Sequence, residues 1–191
     1  MDQGNTASAL MPCVPPDKCI MTILDKNEAK NMLEHIYYHI GIVARDYQEA
    51  AEHYSKVLDV KFTEPAESVL YIENPDTQQA ETIKVAAMYS RNRPPYVELL
   101  QANGNGIFSE KNTGQILYFG IWESDIEGKI EELKQQGIGI DALLHSEPGK
   151  RAHAIITAPD KMGVRIEYVS TLLRPVIDAW VLTGKYPGRQ H

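Results

Sequence analysis

Two stretches decide the fold, HIGIVARD (39–46) and YFGIWESD (118–125). Aligned on Asp46 and Asp125, they set Gly41 against Gly120, Ile42 against Ile121 and His39 against Tyr118. Each is rich in β-branched and aromatic residues and leads straight into a segment with helical periodicity. In YQEAAEHYSKVLDV (47–60) the residues Ala50, Ala51, Tyr54, Val57 and Leu58 share one helical face; in IEGKIEELKQQG (126–137) Ile126, Ile130 and Leu133 do so, with Gly137 placed to stop the helix. Strand passing into helix, twice, is a repeat that no single motif would reveal.

Outward from each helix lie three short β-rich runs. The first set is KFTEPAESVLYIE (61–73), ETIKVAAMYSR (81–91) and PYVELLQAN (95–103), separated by Asn74-Pro75-Asp76 and Arg93-Pro94-Pro95. The second is DALLHSE (141–147), RAHAIITAPD (151–160) and VRIEYVS (164–170), with turns at Pro148-Gly149-Lys150 and Pro159-Asp160-Lys161-Met162-Gly163. The expected architecture is therefore α+β: two tandem βαβββ modules whose sheets join in a cupped, partly open, eight-stranded barrel-like surface with the helices outside. The expected divisions are an N-terminal arm with a short helix after Asp25 (1–34), a first module (35–103), a linker (104–114), a second module (115–171) and a C-terminal helical tail (172–191) in which Val176, Ile177, Trp180 and Val181 form an apolar face ended by Gly184.

Composition narrows the function. The chain has 191 residues, 26 Asp and Glu against 19 Lys and Arg, a net charge of −7 and no basic run, so nucleic acid is not an expected partner. No apolar run approaches the roughly 20 residues that a membrane helix needs. The leader has Asp2 and no basic start, and Pro12, Pro15 and Pro16 interrupt it, unlike a secretory signal; the expected location is cytoplasmic. The two cysteines, Cys13 and Cys19, match neither a redox pair nor a zinc knuckle and read as reduced thiols.

The chemistry lies in polar residues on strands otherwise fit for a core. Alternation puts Tyr37, His39, Gly41 and Val43 on one face of the first strand, and Tyr96, Glu98 and Leu100 on one face of another. Glu98 stands among Val97, Leu99 and Leu100, and Glu167 between Ile166 and Tyr168. An isolated buried carboxylate is so costly that it must be protonated, paired or bound to a cation. Solvent exposure is the simpler account of either Glu alone; it is strained by two at equivalent places in a repeat, with an imidazole besides. His153 in RAHAIITAPD is the other histidine within reach of the cup, and His145 is next; a lone strand histidine is more often structural. Tyr37, Met88, Tyr96 and Trp122 are candidates for an aromatic and thioether lining of an organic substrate pocket, with ordinary core as the alternative. No phosphate loop or dinucleotide fingerprint is present.

HIGIVARD followed by an amphipathic helix, VELLQ closing the first half and PDKMGVRIEYV closing the second resemble the vicinal oxygen chelate superfamily, the glyoxalase, bleomycin-resistance and extradiol-dioxygenase group, nearest its methylmalonyl-CoA-epimerase and glyoxalase-like branch. The resemblance spans about residues 36–170. It implies a divalent metal held by residues on the first and last strand of each half: His39, Glu98, a third position that falls on Tyr118, and Glu167. Phenol is a poor ligand, with a pKa near 10, so the alternatives are three protein ligands, Tyr118 as a weaker fourth, or a site without metal. One nitrogen and two carboxylate oxygens suit Zn, Mn, Fe, Ni or Mg.

The resemblance further implies a metal-assisted isomerase, epimerase, lyase or cyclase acting on a carbonyl-bearing organic molecule, in keeping with secondary metabolism. Glu98, Glu167 or His153 would move the proton and Tyr118 would donate to the enolate oxygen. The alternatives are a non-catalytic small-molecule binding or resistance protein and, with less support because it wants a second histidine, a ring-cleaving dioxygenase. Family members pair their modules within one chain or between two, which leaves a homodimer open.

Overall fold

The structure, a computed structural model, describes residues 37–188. The expected short helix after Asp25 and both cysteines lie outside the described residues. The elements run β1 (His39–Ala44), α1 (Tyr47–Leu58), β2 (Ala66–Asn74), β3 (Gln79–Tyr89), β4 (Tyr96–Gln101), β5 (Ile116–Glu123), α2 (Ile126–Gln135), β6 (Ile140–His145), β7 (Ala152–Thr157), β8 (Ile166–Ser170) and α3 (Arg174–Thr183). This is the twice-repeated βαβββ order, followed by a C-terminal helix.

Asp46 and Asp125, the residues that align the repeat, are the two N-caps. Asp46 accepts from the amides of Gln48 and Glu49 at 2.9 and 3.1 Å, and Asp125 from that of Gly128 at 3.0 Å, satisfying amides that the first turn leaves open. Both helices lie outside the sheet. α1 covers Ile42, Met88 and Leu99; α2 packs Ile126 and Leu133 over Ile140, Leu143 and Ile155.

The eight strands form one closed barrel in the order β1-β4-β3-β2-β6-β7-β8-β5. β1 lies parallel to β4 and β5 parallel to β8, while β1 runs antiparallel to β5, joining the modules. The second seam, β2 on β6, pairs Tyr71 with His145, Ile72 with Leu144 and Glu73 with Leu143, and so closes a sheet that the repeat led one to expect as partly open. Among the described residues, closure leaves this barrel without an edge strand.

The interior is packed. Val43, Ile83, Leu100, Ala142, Ile156 and Val169 point inward from six strands. Ile107 and Phe108, from the linker, are buried in the same core at one mouth. α3 closes the other: Ile177, Trp180 and Val181 are buried there, with the Trp180 indole donating to the Glu64 carbonyl at 3.0 Å. Arg91 ties the helix end down, donating through Nε to the Val181 carbonyl at 3.0 Å and through Nη2 to that of Leu182 at 2.8 Å. Each of the three apolar anchors contributes about 1.5–3 kcal/mol by leaving water.

Candidate metal centre

His39 opens β1 and points inward; Glu98 and Glu167 sit mid-strand on β4 and β8, the neighbours of β1 and β5. The registers place Glu98 beside Gly41, Glu167 beside Gly120, and His39 across from Gly120. The two glycines are matched to two rings. A Cβ at Gly120 would overlap the His39 imidazole, and one at Gly41 would overlap the Tyr118 ring. His39 lies over Gly120 of the second module and Tyr118 over Gly41 of the first, an exchange across the seam that follows the repeat.

The three chemistry-bearing side chains converge. His39 Nε2 is 3.1 Å from Glu98 Oε2 and 2.9 Å from Glu167 Oε2, and one ligand atom of each residue lies within 4.8 Å of the others. His39 is 0% exposed and both carboxylates are buried. Neither imidazole nitrogen has a hydrogen bond of good geometry, so Nε2 faces both carboxylate oxygens without being aligned on either. Separations near 3 Å are what adjacent ligands show around a cation with bonds of about 2.1 Å. The donor set of one nitrogen and two oxygens fits a divalent ion of borderline or hard character.

Burial alone would lower the His39 pKa, but the Glu98 charge, together with the contact to Glu167, outweighs it and pushes the value up to about 9. Glu98 is held below the ordinary carboxylate range: burial opposes this, and His39, then the hydroxyls of Tyr89 and Tyr118, overcome it. Glu167 is raised, chiefly by burial, with the nearby Glu98 charge adding to it. The hydrogen bonds explain the split. Glu98 accepts from Tyr89 at 2.6 Å on Oε1 and from Tyr118 at 2.8 Å on Oε2, whereas the strand neighbours facing Glu167 offer no equivalent: Tyr89 pairs with Glu98, but Ile156 pairs with Glu167.

Tyr118 therefore points into the centre, its hydroxyl engaged by Glu98. His153 is half-buried on β7 and does not belong to the converging group; His145 is buried on β6 with Nδ1 2.7 Å from the Lys150 carbonyl. The expected lining needs correction. Tyr37 is 42% exposed and edge-on to Phe119, because regular strand alternation begins only at His39; Tyr38 takes the inner place instead. Met88 lies outside the barrel beneath α1, since Ala87 and Tyr89 occupy the inner face of β3. Ile116, which strict alternation would set on the face of Tyr118, is exposed because the β1–β5 register shifts there and Leu117 turns inward. Tyr96 and Trp122 do point in, packed in the aromatic core with Tyr89 and Tyr38. Sequence reasoning missed Tyr89 and Tyr38; the pairing of Tyr89 with Glu98 is a matter of register, which no local pattern encodes. A cleft of about 520 Å³ opens at the mouth away from α3, lined by Asn74, Glu81, Asn105, Asp141 and Arg165 among others, and it does not include the three converging residues.

The barrel of paired βαβββ modules with a His-Glu-Glu centre on its seam defines a class of protein. Residues 38–158 match the family described as the glyoxalase/bleomycin resistance protein/dioxygenase superfamily, and the chain belongs to it. No curated protein matches the chain. Solved structures that resemble it include methylmalonyl-CoA epimerase of Streptomyces coelicolor in complex with 2-nitronate-propionyl-CoA, at 19% identity and a TM-score of 0.45, covering 71% of this chain and 94% of that one. A mutant 4-hydroxymandelate synthase from the same organism is 15% identical with a TM-score of 0.44, covering 72% of this chain and 48% of that one. The trypanothione-dependent glyoxalase I of Leishmania major is 13% identical with a TM-score of 0.25, covering 78% and 97%. No helix among the described residues is long and apolar enough to cross a membrane.

Proposed function

We propose that the protein is a metal-assisted enzyme that moves a proton next to the carbonyl of a small organic molecule, as an isomerase, epimerase, lyase or cyclase does. The observation that carries the reading is the convergence of His39, Glu98 and Glu167 on one point inside a barrel wall. These three residues would hold a divalent cation, which when bound supplies Lewis-acid polarisation of the carbonyl.

The two carboxylates then have different tasks. Glu98, kept anionic by His39 and then by the hydroxyls of Tyr89 and Tyr118, is the fixed charge; Glu167, which accepts neither tyrosine hydroxyl and whose pKa is raised, is the better base for a carbon-bound proton. Tyr118 stays a neutral phenol, because burial pushes its pKa well above 10. Its hydroxyl is the donor for the developing oxyanion once its bond to Glu98 is exchanged for one to substrate. His153, outside the converging group, has no part in this scheme.

The direct test is hydrogen exchange: metal-loaded protein is incubated in D2O with a panel of acyl thioesters and 2-oxo acids, and loss of the proton beside the carbonyl is followed by NMR. Exchange that Glu167→Gln abolishes and Tyr118→Phe slows about a hundredfold or more supports the reading. Binding of a panel member without exchange would favour the second reading, a sequestering protein, which the phenol at the fourth ligand position supports.

A further inference from the structure

Three tyrosines surround the His39 ring. Tyr118 and Tyr89 lie edge-on to it, with centroids at 5.6 and 5.9 Å, and both donate their hydroxyls to Glu98. Tyr38 is different. It immediately precedes β1, and its main chain is fixed from both sides: its amide donates to the Gly120 carbonyl and its carbonyl accepts from the Tyr96 amide, each at 2.8 Å. Its ring lies against His39 at 4.2 Å and stacks on Trp122 at 3.8 Å with an interplanar angle of 8°. Held by backbone and ring alike, the side chain cannot swing out to water. Its hydroxyl is buried among the Tyr89 hydroxyl and the Glu98 and Glu167 carboxylates, yet makes no hydrogen bond of acceptable geometry.

A buried donor left unpaired opposes folding and is retained where something else pairs with it. We propose that Tyr38 is a ligand-binding residue of this centre, donating its hydroxyl proton to an oxygen of the molecule bound there. The inference rests on the metal reading above and deepens it by naming the partner's chemistry. The ionised carboxylates of Glu98 and Glu167 are acceptors, and the Tyr38 hydroxyl, like the His39 ring, is a donor that no protein group takes up, so it selects a ligand atom that accepts: a carboxylate, enolate or carbonyl oxygen, not an ammonium group. The Trp122 stack behind Tyr38 fixes that donor in advance, so the ligand need not order it.

Tyr38→Phe keeps the ring and its stack and removes only the hydroxyl. The full-length parent and variant are titrated with Co2+, followed by the visible spectrum, and the cobalt-loaded forms are then titrated with oxalate, a small probe rich in acceptor oxygens. The expected result is equal Co2+ affinity, a metal-free melting temperature at or above that of the parent, and an oxalate affinity lower by about tenfold or more, as for loss of a hydrogen bond to a charged group. Unchanged oxalate affinity with normal Co2+ uptake overturns the inference and leaves the metal reading intact. A lower melting temperature in Tyr38→Phe also overturns it, because the hydroxyl would then be a structural group paired in the folded state. Failure of the parent to take up Co2+ overturns the metal reading, and this inference with it.

Discussion

The two modules repeat one plan and differ at the point where the chemistry sits. In the first, Glu98 accepts two phenol hydroxyls and is held in its charged form; in the second, Glu167 faces Ile156 where Glu98 faces Tyr89, and its pKa rises. A similar exchange separates His39 from Tyr118, each ring lying over a glycine of the opposite module. Duplicated strands thus supply the geometry, and single substitutions within the duplicate set which carboxylate stays charged and which can take a proton. Pairs of titratable groups driven apart by their surroundings are how one site provides both fixed charge and a base.

Neutralising each carboxylate in turn should separate the two modules most. Glu98→Gln removes the main partner of a buried imidazolium and leaves two tyrosine hydroxyls to re-pair, so it should cost the metal-free protein about 3–5 kcal/mol. Glu167→Gln removes a group whose charged form the fold already disfavours, and should cost no more than about half as much. Urea unfolding of the two variants compares them directly; equal losses would remove the asymmetry on which the division of roles depends.

Protonation gives the next largest effect. The folded pKa of His39, about 9, lies above its unfolded value near 6.5, so its contribution is complete below about pH 6.5 and is lost as pH rises through about 9. The metal-free protein should therefore lose on the order of 3 kcal/mol between pH 6.5 and 10. The carboxylates act in opposite directions on the acid side. Glu98, lowered on folding, stabilises at neutral pH and loses that contribution as pH falls, whereas Glu167, raised on folding, disfavours the fold at neutral pH and recovers on acidification. In Glu98→Gln the alkaline loss should shrink, because the charge that does most to raise His39 is gone; thermal melts across this range check it.

A smaller effect is expected where the halves exchange His39 for Tyr118. Tyr118→Phe removes one of two donors to Glu98 and should cost about 1 kcal/mol. Tyr118→His places an imidazole at the fourth position with Gly41 still making room for the ring, and should tighten zinc binding. Zinc titration with a competing chelator measures this, and an unchanged affinity would show that the position opposite His39 lies out of reach of the cation.

Much of this was legible in the chain because it is local or repeated. Helical spacing after the aligned Asp46 and Asp125 marked two helices, alternation along YVELLQ set Glu98 on one face with Leu100, and VRIEYVS placed Glu167 among apolar neighbours; the structure turns both carboxylates inward. The rest depends on register and on chain ends. Tyr38 rather than Tyr37 turns inward because the strand starts at His39, later than the run from Ile36 suggests. Tyr89 meets Glu98 through the β3–β4 pairing, and Met88 is sent under α1 by the same pairing. Ile107 and Phe108 lay in a stretch that read as linker, since two apolar residues between glycines and polar residues carry no period.

On the reading proposed above, His39, Glu98 and Glu167 together hold one divalent cation. Calorimetric titration of the metal-free protein with Zn2+ at pH 7, in buffers of different ionisation enthalpy, tests it most directly, because a cation must displace the proton that the carboxylates hold on His39. The expected result is one equivalent bound with release of about one proton, and loss of binding in both His39→Ala and Glu167→Ala. Zinc binding that persists unchanged in His39→Ala, or a parent protein that binds none, would contradict it.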